Sequence, residues 1–358
     1  MSDTPAASLT AIPAAPRSKA ITRPAAWLTA LALLLPATML AALIYGRYPL
    51  SLNDITDFLR SAAGLGTMAP DRYDLMHSLI MEIRLPRILA AILIGAALAA
   101  SGAAYQAVFV NPLVSPDILG VLAGAAFGAA LGIVAFDSWL LVQLGTIAGG
   151  LAAAAAGVGI SRLFGSRSVV MLVLGGIFSG ALFSGLLSMV KYLADPYQQL
   201  PAIVYWLMGS LGQVSLTELG RFAPIMLVCI ACLALLGRAL DAMSMGEDEA
   251  ASLGVPVATV RIGVIVCATV ASAMTVALAG MIGWIGLLAP HIARLLVGPL
   301  NRYLVPASAL LGGIFLLAAD ALARGISETE LPIGVVTELV GLPVFLLVLR
   351  NARRGWTV

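Results

Sequence analysis

The sequence predicts an all-α fold, a polytopic membrane bundle with about ten transmembrane helices. Of its 358 residues, 61% are hydrophobic and 11% are charged, and the mean hydropathy is +1.02. A soluble domain carries about 25% charged residues, so this composition is typical of a chain that lies mostly in lipid. The apolar residues fall into ten runs, and one compact polar segment lies between Arg238 and Arg261. The net charge of +2 is too small to indicate a nucleic-acid partner.

The ten runs define the predicted spans in chain order. They extend from Trp27 to Tyr45, Ile88 to Val108, Ile118 to Phe136, Trp139 to Ile160, Val169 to Met189, Phe222 to Leu236, Ile262 to Ala279, Ile282 to Val297, Leu304 to Ala319 and Ile333 to Leu349. Several are shorter than the roughly 20 residues that cross a bilayer squarely, so the ends of these spans are the least certain part of the prediction.

Together the runs predict one transmembrane domain at residues 25–350, with a tail on each side. Residues 1–24 are rich in Ala, Pro, Ser and Thr, which is the composition of a disordered tail, and residues 351–358 form a short C-terminal tail. A cleaved signal peptide is the alternative for the N-terminus. It is disfavoured because the first apolar run is longer than a signal core and lacks a clear small-x-small cleavage site.

The distribution of basic residues predicts that both termini are cytoplasmic. With the N-terminus inside, the inner segments contain Arg17, Lys19, Arg23, Arg162, Arg167, Arg238, Arg261, Arg302, Arg350, Arg353 and Arg354. The opposite side is richer in acidic residues, although several arginines lie there too. This agrees with the positive-inside rule. An even number of spans then places the polar segment of residues 238–261 in the cytoplasm.

That polar segment contains a short predicted helix with well-marked ends. Glu247, Asp248 and Glu249 place negative charge at the positive end of the helix dipole. Gly254 suits the position after the last turn, and Pro256 prevents continuation. The pattern predicts a small cytoplasmic helix that is offered to a soluble partner. On charge pattern alone, a solvated linker between two spans is the favoured interpretation.

Glycines four residues apart indicate close helix packing. Such pairs are Gly124 with Gly128, Gly145 with Gly149, and Gly176 with Gly180. Small residues at this spacing let helix backbones approach each other, so the sequence predicts a dense bundle.

Two segments predict breaks in the helical pattern. One extends from Asn111 to Asp117 and contains two prolines, and the other extends from Gly280 to His291 between the seventh and eighth spans. Irregular backbone at membrane depth is tolerated where it is buried in protein or lines a watery cavity, and a transport pathway supplies such a cavity. For the Asn111 segment, an ordinary tight turn at the membrane surface is an equally good interpretation.

We expect no catalytic residue, metal site or cofactor in this chain. The sequence contains no phosphate-binding GxxxxGK motif followed by Ser or Thr. Cys229 and Cys232 form a CxxC pair, but inside an apolar run small buried side chains are the better interpretation. A transporter without its own ATPase requires an ion gradient, for which Asp320 and Glu338 are candidates, or a separate ATPase that docks on the polar helix.

Six sequence blocks resemble the FecCD permease family. They are IRLPR at Ile83 to Arg87, SGAAYQAVFVNPLVSPDILG at Ser101 to Gly120, GEDEAASLG at Gly246 to Gly254, GMIGWIGLLAPHIARLLVG at Gly280 to Gly298, ADALAR at Ala319 to Arg324, and ELPIGVVTELVGLPVF at Glu330 to Phe345. The resemblance covers nearly everything after Ile83. Members of that family are the inner-membrane subunits of ATP-binding cassette (ABC) importers for ferric siderophores, haem and cobalamin.

The resemblance implies ten spans per subunit, a permease dimer, two cytoplasmic ATPases and a periplasmic or lipoprotein substrate-binding protein. For this chain it favours a homodimer that imports an iron chelate, a ferric siderophore above all from its frequency in the family. Haem or cobalamin import is the alternative within the family. A gradient-driven secondary transporter and a membrane scaffold without transport activity are alternatives of other classes.

The resemblance also implies roles for individual residues. The helix should contact the ATPase through Gly246, Glu247, Glu249, Leu253 and Gly254. Arg84, Arg87 and Arg324 should form the outer docking surface for the binding protein, although arginines at span ends also commonly reach to the membrane interface. Departures from the family pattern mark candidate pathway or gate residues, namely Ser168, Val169, Val170, Trp284 and Glu338.

Overall fold

The computed structural model describes residues 22–46, 48–136, 138–163, 169–326 and 329–353, and over these residues its regular structure is entirely helical. The α-helices are α1 (Thr22–Ile44), α2 (Leu52–Ala62), α3 (Pro70–His77), α4 (Leu85–Val108), α5 (Val121–Ala135), α6 (Trp139–Leu163), α7 (Val169–Leu193), α8 (Gln199–Leu207), α9 (Leu216–Leu235), α10 (Gly237–Met243), α11 (Glu247–Ser252), α12 (Val257–Ala279), α13 (Ile285–Val297), α14 (Asn301–Gly325) and α15 (Ile333–Arg353). A π-helical turn, Ser78–Arg84, joins α3 to α4, and a 3-10 turn, Pro116–Leu119, precedes α5.

The prediction of an all-α membrane bundle is confirmed. Each of the ten predicted runs overlaps one α-helix, although several helices extend beyond their run. Seven helical stretches have the length and hydropathy of membrane spans: Pro24–Ile44, Pro70–Val108, Trp139–Leu163, Val170–Leu193, Leu216–Leu235, Val257–Ala279 and Asn301–Gly325. The other three predicted runs form shorter apolar helices, Val121–Ala135, Ile285–Val297 and Ile333–Val348. The proposed tails lie mostly outside the described residues, although α1 begins at Thr22 and α15 continues to Arg353.

Helix α4 lies at the centre of the bundle and is buried along almost its whole length. It approaches its neighbours through glycine. A methyl group at Gly95 would lie 2.2 Å from the carbonyl oxygen of Gly312 in α14, and one at Gly102 would lie 1.8 Å from that of Gly286 in α13. These distances leave no room for any side chain, so α4, α13 and α14 pack backbone against backbone.

Helices α5 and α6 pack in the same way, as the glycine spacing predicts. A methyl group at Gly128 would lie 2.0 Å from the Gly145 oxygen, and one at Gly124 would lie 2.3 Å from the Gly149 oxygen. Because these four glycines face each other across one contact, the small-residue pairs are an interhelical seam.

The apolar runs did not predict α2 and α3, which lie between α1 and α4. The α2 N-terminus is closed by a capping box, in which the Ser51 hydroxyl accepts from Asp54 N and the Asp54 carboxylate accepts from Ser51 N. Ile55 and Phe58 of α2 pack in a small separate core with Met76. We call this end of the bundle the outer end and the end with α11 the inner end, following the predicted orientation.

Candidate functional site

A cavity of about 690 Å³ opens beside the central helices. Its walls come from the segment before α5, from α7 and α8, from the segment between α12 and α13, and from the first turns of α15. They include Leu98, Ser115, Pro116, Asp117, Leu122, Leu187, Lys191, Val204, Leu207, Met208, Met281, Ile282, Gly283, Trp284, Gly286, Leu287, Gly334, Val335 and Glu338. Trp284 and Glu338, two of the candidate pathway residues, therefore face the same space.

Three chain reversals meet at one side of the cavity and hold each other by backbone hydrogen bonds. The amide of Ser210 donates to the Ala279 oxygen at 2.9 Å, and the amide of Gly334 donates to the Met208 oxygen at 3.0 Å. Gly280 has φ +72°, and a methyl group there would lie 2.2 Å from the Trp206 oxygen. The break after α12 therefore requires glycine, and it lies packed in protein beside the cavity.

Trp284 is held in place by its neighbours in α15. Its backbone has φ 68°, which is unusual for a residue other than glycine. Its indole packs edge-on against the Phe345 ring with centroids 5.9 Å apart. A methyl group at Gly341 would lie 2.8 Å from the Trp284 Cβ. The side chain is thus a fixed wall of the cavity at the N-terminus of α13.

Glu338 is exposed to the cavity from α15. Its carboxylate has no hydrogen bond or ion pair with any residue in the described part of the chain. The carboxylate lies beside Gly283, where an added methyl group would be 3.9 Å from the Glu338 Oε1. Glu338 is therefore an uncompensated negative charge on the cavity wall.

The Asn111 segment combines the two interpretations given above. It is a tight turn, because the Asn111 side chain accepts from the Leu113 amide at 2.9 Å. Its far end also lines the cavity through Pro116 and Asp117. Pro116 lies against the start of α13, since a methyl group at Gly286 would be 2.8 Å from its Cδ. One turn thus places a carboxylate at the cavity.

The other gate candidates lie away from this cavity or outside the described residues. Ser168 is not among the described residues, and of Val169 only the backbone at the start of α7 is described. Val170 is 65% exposed and does not line the cavity. Their role as a gate stays a prediction.

At the outer end, Arg87 and Arg324 converge on Asp320, which is completely buried. Arg87 Nε donates to Asp320 Oδ1 at 2.7 Å, and Arg324 Nε donates to Asp320 Oδ2 at 3.1 Å. Arg87 Nη1 also donates to Glu330 Oε2 at 2.8 Å. We call these four residues the outer ion cluster. It ties the start of α4 to the end of α14 and to the segment before α15.

Arg84 has a different role beside this cluster. Its guanidinium donates to the backbone carbonyls of Leu43 and Tyr48, and to that of Ile44 at 3.2 Å, so it closes the C-terminus of α1. Arg84 and Arg87 are only 6% and 8% exposed. Partners within the chain therefore occupy these two guanidiniums. Binding-protein docking at this end stays a prediction.

At the inner end, α11 has the bounds that the capping signals predict. Gly246 precedes it with φ 129°, and Gly254 follows it with φ 81°. The amides of Gly254 and Val255 donate back to the oxygens of Ala251 and Ala250 at 2.9 and 3.0 Å, which is a Schellman motif. The Glu247 carboxylate pairs with Arg261 at the start of α12. Local backbone bonds thus close the C-terminus of the helix, and the ion pair ties its first residue to α12.

Helix α11 presents an amphipathic surface. Ala250 is completely buried, whereas Met245 and Leu253 are 68% and 66% exposed. These two apolar side chains border a shallow cleft of about 380 Å³ together with Asp248, Glu249 and Ser252. Exposed apolar side chains among acidic ones are typical of a docking surface.

The α10–α11 unit is fastened to the start of α14. Asn301 is 4% exposed and donates from its Nδ2 to the Ser244 Oγ at 3.1 Å. The Asn301 backbone amide donates to the Asp241 carboxylate. Two hydrogen bonds therefore join α10 and the residue that follows it to the first residue of α14.

Comparisons with known proteins place this arrangement in one family. The profile of the FecCD transport family matches residues 33–351. A molybdate import system permease protein, MolB, from Haemophilus influenzae is 39% identical over 325 residues, which cover 91% of this chain and 95% of that protein. A protein of Helicobacter pylori named probable iron chelatin transport system permease protein is 36% identical over 276 residues, 77% of this chain and 83% of its own length.

A solved ABC transporter structure, described as metal-chelate type and inward-facing, has the same fold. It is 37% identical, superposes with a TM-score of 0.80, and covers 90% of this chain and 98% of its own. The family profile, the relatives and the fold agree over nearly the whole chain. The chain belongs to the FecCD transport family and is the membrane permease of an ABC importer.

Proposed function

We propose that this permease imports an iron chelate, a ferric siderophore above all, across the inner membrane. Two copies of the chain form the membrane subunits, with a cytoplasmic ATPase at α11 and a substrate-binding protein at the outer end. The observation that carries the proposal is the cavity of about 690 Å³. Sites for small organic ligands measure about 300–1,000 Å³, so a bulky chelate suits this space.

The chemistry of the cavity wall supports an organic cargo. Most of the lining side chains are aliphatic, and Trp284 adds an aromatic surface. A metal chelate presents a largely organic shell around its metal, which such a wall accommodates. Among the described residues of the lining, Lys191 is the single cation, whereas a small oxyanion needs several N–H or cationic donors.

Molybdate is a second candidate, because the relative that covers 91% of this chain is named for molybdate import. The carboxylates of Asp117 and Glu338 in the cavity argue against it for this chain. Haem and cobalamin, which are also bulky and partly apolar, are separated from siderophores only by direct assay.

An ATPase is the more suitable energy source than an ion gradient. Asp320 was one candidate for proton coupling, but both of its oxygens accept from arginines and the side chain is completely buried. The exposed face of α11 instead offers Leu253 and Glu249 to a soluble partner. This supports a coupling role for Gly246, Glu247, Glu249, Leu253 and Gly254.

The test is uptake in cells that lack other importers of this kind and that express the chain with its ATPase and binding protein. The probes are a radioactive ferric trihydroxamate, haem, cobalamin and molybdate. We expect ferric trihydroxamate uptake that stops when ATP is depleted and continues with an uncoupler. Uptake of molybdate alone would replace the iron-chelate proposal, and uptake abolished by the uncoupler at normal ATP would indicate a gradient-driven transporter.

A further inference from the structure

We propose that Glu338 is a charge filter in the cavity, a specificity-determining residue that slows anionic cargo relative to neutral or cationic cargo. The inference rests on the proposed passage of substrate through this cavity. It does not depend on which chelate is carried.

The ionisable groups of the cavity wall give it a net negative character. Asp117 and Glu338 contribute carboxylates, and Lys191 contributes one ammonium group. Asp117 accepts a hydrogen bond from the Leu122 backbone amide. Glu338 has no such partner in the described part of the chain. Of the two carboxylates, that of Glu338 is therefore the one left free to interact with a cargo in the cavity.

The acids of the outer ion cluster differ from Glu338 in this respect. Asp320 is neutralised by two arginines, and Glu330 is paired with Arg87. A carboxylate placed in a membrane-spanning segment disfavours insertion, and such residues usually line functional paths. Insertion of Glu338 into the membrane is disfavoured in this way, and no ion pair in the described part of the chain compensates its charge. This arrangement is expected where a passing substrate interacts with the carboxylate.

The position of Glu338 brings a cargo close to its charge. The carboxylate lies against Gly283, and Trp284 follows as a fixed aromatic wall. A cargo in contact with this wall has little water between itself and the carboxylate. Repulsion between two like charges about 4 Å apart changes an equilibrium by about fivefold at the dielectric constant of bulk water and by about a thousandfold at an effective dielectric constant of about 20. A tenfold effect therefore corresponds to a contact that water still screens in part.

The experiment uses chelates that share one shape and differ only in charge. A linear ferric trihydroxamate with a pendant ammonium group is cationic, its N-acetyl derivative is neutral, and its N-succinyl derivative is anionic. Uptake of each is measured with the wild-type chain, Glu338→Gln and Glu338→Asp, with the ATPase and the binding protein unchanged. Because the binding protein is the same throughout, a change in the ratio between chelates belongs to the permease.

For Glu338→Gln we expect uptake of the anionic chelate, relative to the neutral one, to rise by about tenfold. Glu338→Asp keeps the charge and should keep the wild-type ratio. Glu82→Gln is the matched control, since Glu82 is exposed at the outer end and does not line the cavity. Permease abundance in the membrane is measured for every variant, and only ratios between chelates are compared. An unchanged ratio in Glu338→Gln would overturn the proposal.

Failure of the filter and failure of the iron-chelate function give different results. If the wild-type chain imports none of the three chelates, the iron-chelate function is wrong, and the filter is then tested with molybdate. Faster molybdate uptake by Glu338→Gln than by the wild-type chain would support the filter. Equal or slower molybdate uptake by that variant would refute it.

Discussion

Removal of the Asp320 carboxylate should destabilise the permease far more than removal of any exposed acid. Asp320 is completely buried and accepts from Arg87 at 2.7 Å and from Arg324 at 3.1 Å. In Asp320→Ala both guanidiniums lose this acceptor. Arg87 keeps Glu330, and Arg324 keeps the Tyr45 oxygen at 3.0 Å. Breaking a buried ion pair by removing one partner costs about 3–5 kcal/mol.

The comparison that makes this measurable is Glu330→Gln. Glu330 is 40% exposed and contacts only one arginine of the cluster, so its loss should cost at most about 1 kcal/mol. The free energy of unfolding in detergent is measured for both variants, together with the yield of monodisperse permease. The reasoning about the cluster is refuted if Asp320→Ala loses no more stability than Glu330→Gln.

A double replacement separates charge from packing at the same place. In Arg87→Met with Asp320→Leu, one positive and one negative charge are removed together, so the remaining Arg324 and Glu330 balance each other in charge, whereas Asp320→Ala leaves an excess positive charge in the cluster. An ion pair replaced as a unit by apolar side chains is often tolerated. We therefore expect the double variant to be more stable than Asp320→Ala, and a strictly additive loss would contradict the pairing.

Three further predictions concern the ends of the bundle and its centre. Glu249→Arg should weaken co-purification of the ATPase while the permease still inserts, because it reverses a charge beside the exposed α11 cleft; unchanged ATPase recovery would remove α11 as the docking site. Gly102→Ala should prevent normal folding because its methyl group would overlap a carbonyl oxygen, whereas Gly159→Ala, with nothing within 4 Å, should be neutral or slightly stabilising in thermal unfolding. Arg84→Glu should lower permease abundance, because it removes three bonds that close α1; normal abundance with impaired binding-protein association would instead support docking.

Local signals were sufficient to predict the helices that end at marked residues. The bounds of α11 follow from glycines at both ends, whose backbones adopt the positive φ that other residues avoid. The facing glycines of α5 and α6 were likewise visible as spacing. Helix α2 was missed because it is amphipathic and contains two aspartates, so a search for continuous apolar runs passes over it.

The sequence was sufficient to place the arginines of the outer ion cluster at one end of the bundle. It was not sufficient to predict which residues they contact. Arg87 and Asp320 are 233 residues apart in the chain, and no local pattern indicates that they touch. The sequence therefore predicted a docking surface formed by Arg84, Arg87 and Arg324, and could not indicate that Arg87 bonds to Asp320 and Glu330. The pairing of Asp320 with Arg324 was the predictable part. The two residues lie one helical turn apart, and a carboxylate in a membrane span usually has a partner.

The cavity was predictable only in part for a similar reason. Trp284 and Glu338 stood out as departures from the family pattern, and the breaks around them predicted a lined cavity. Lys191 and the residues of α8 had no comparable signal. They reach the cavity because the chain reverses after α8 and its backbone bonds to the segments beside α12 and α15. Contacts between turns that are far apart in the chain depend on tertiary packing alone.

A single helix connects the two ends at which partners are proposed to bind. Helix α14 begins at Asn301, which holds the α10–α11 unit, and passes Asp320 and Arg324 at the outer end. Its 25 residues extend over about 37 Å at 1.5 Å per residue. Because α14 meets α4 through Gly95 and Gly312 with no side chain between them, these two helices form a closely packed centre. We therefore expect relative movement of the cavity walls to be taken up at the irregular segments beside them, which are the breaks before α5 and between α12 and α13.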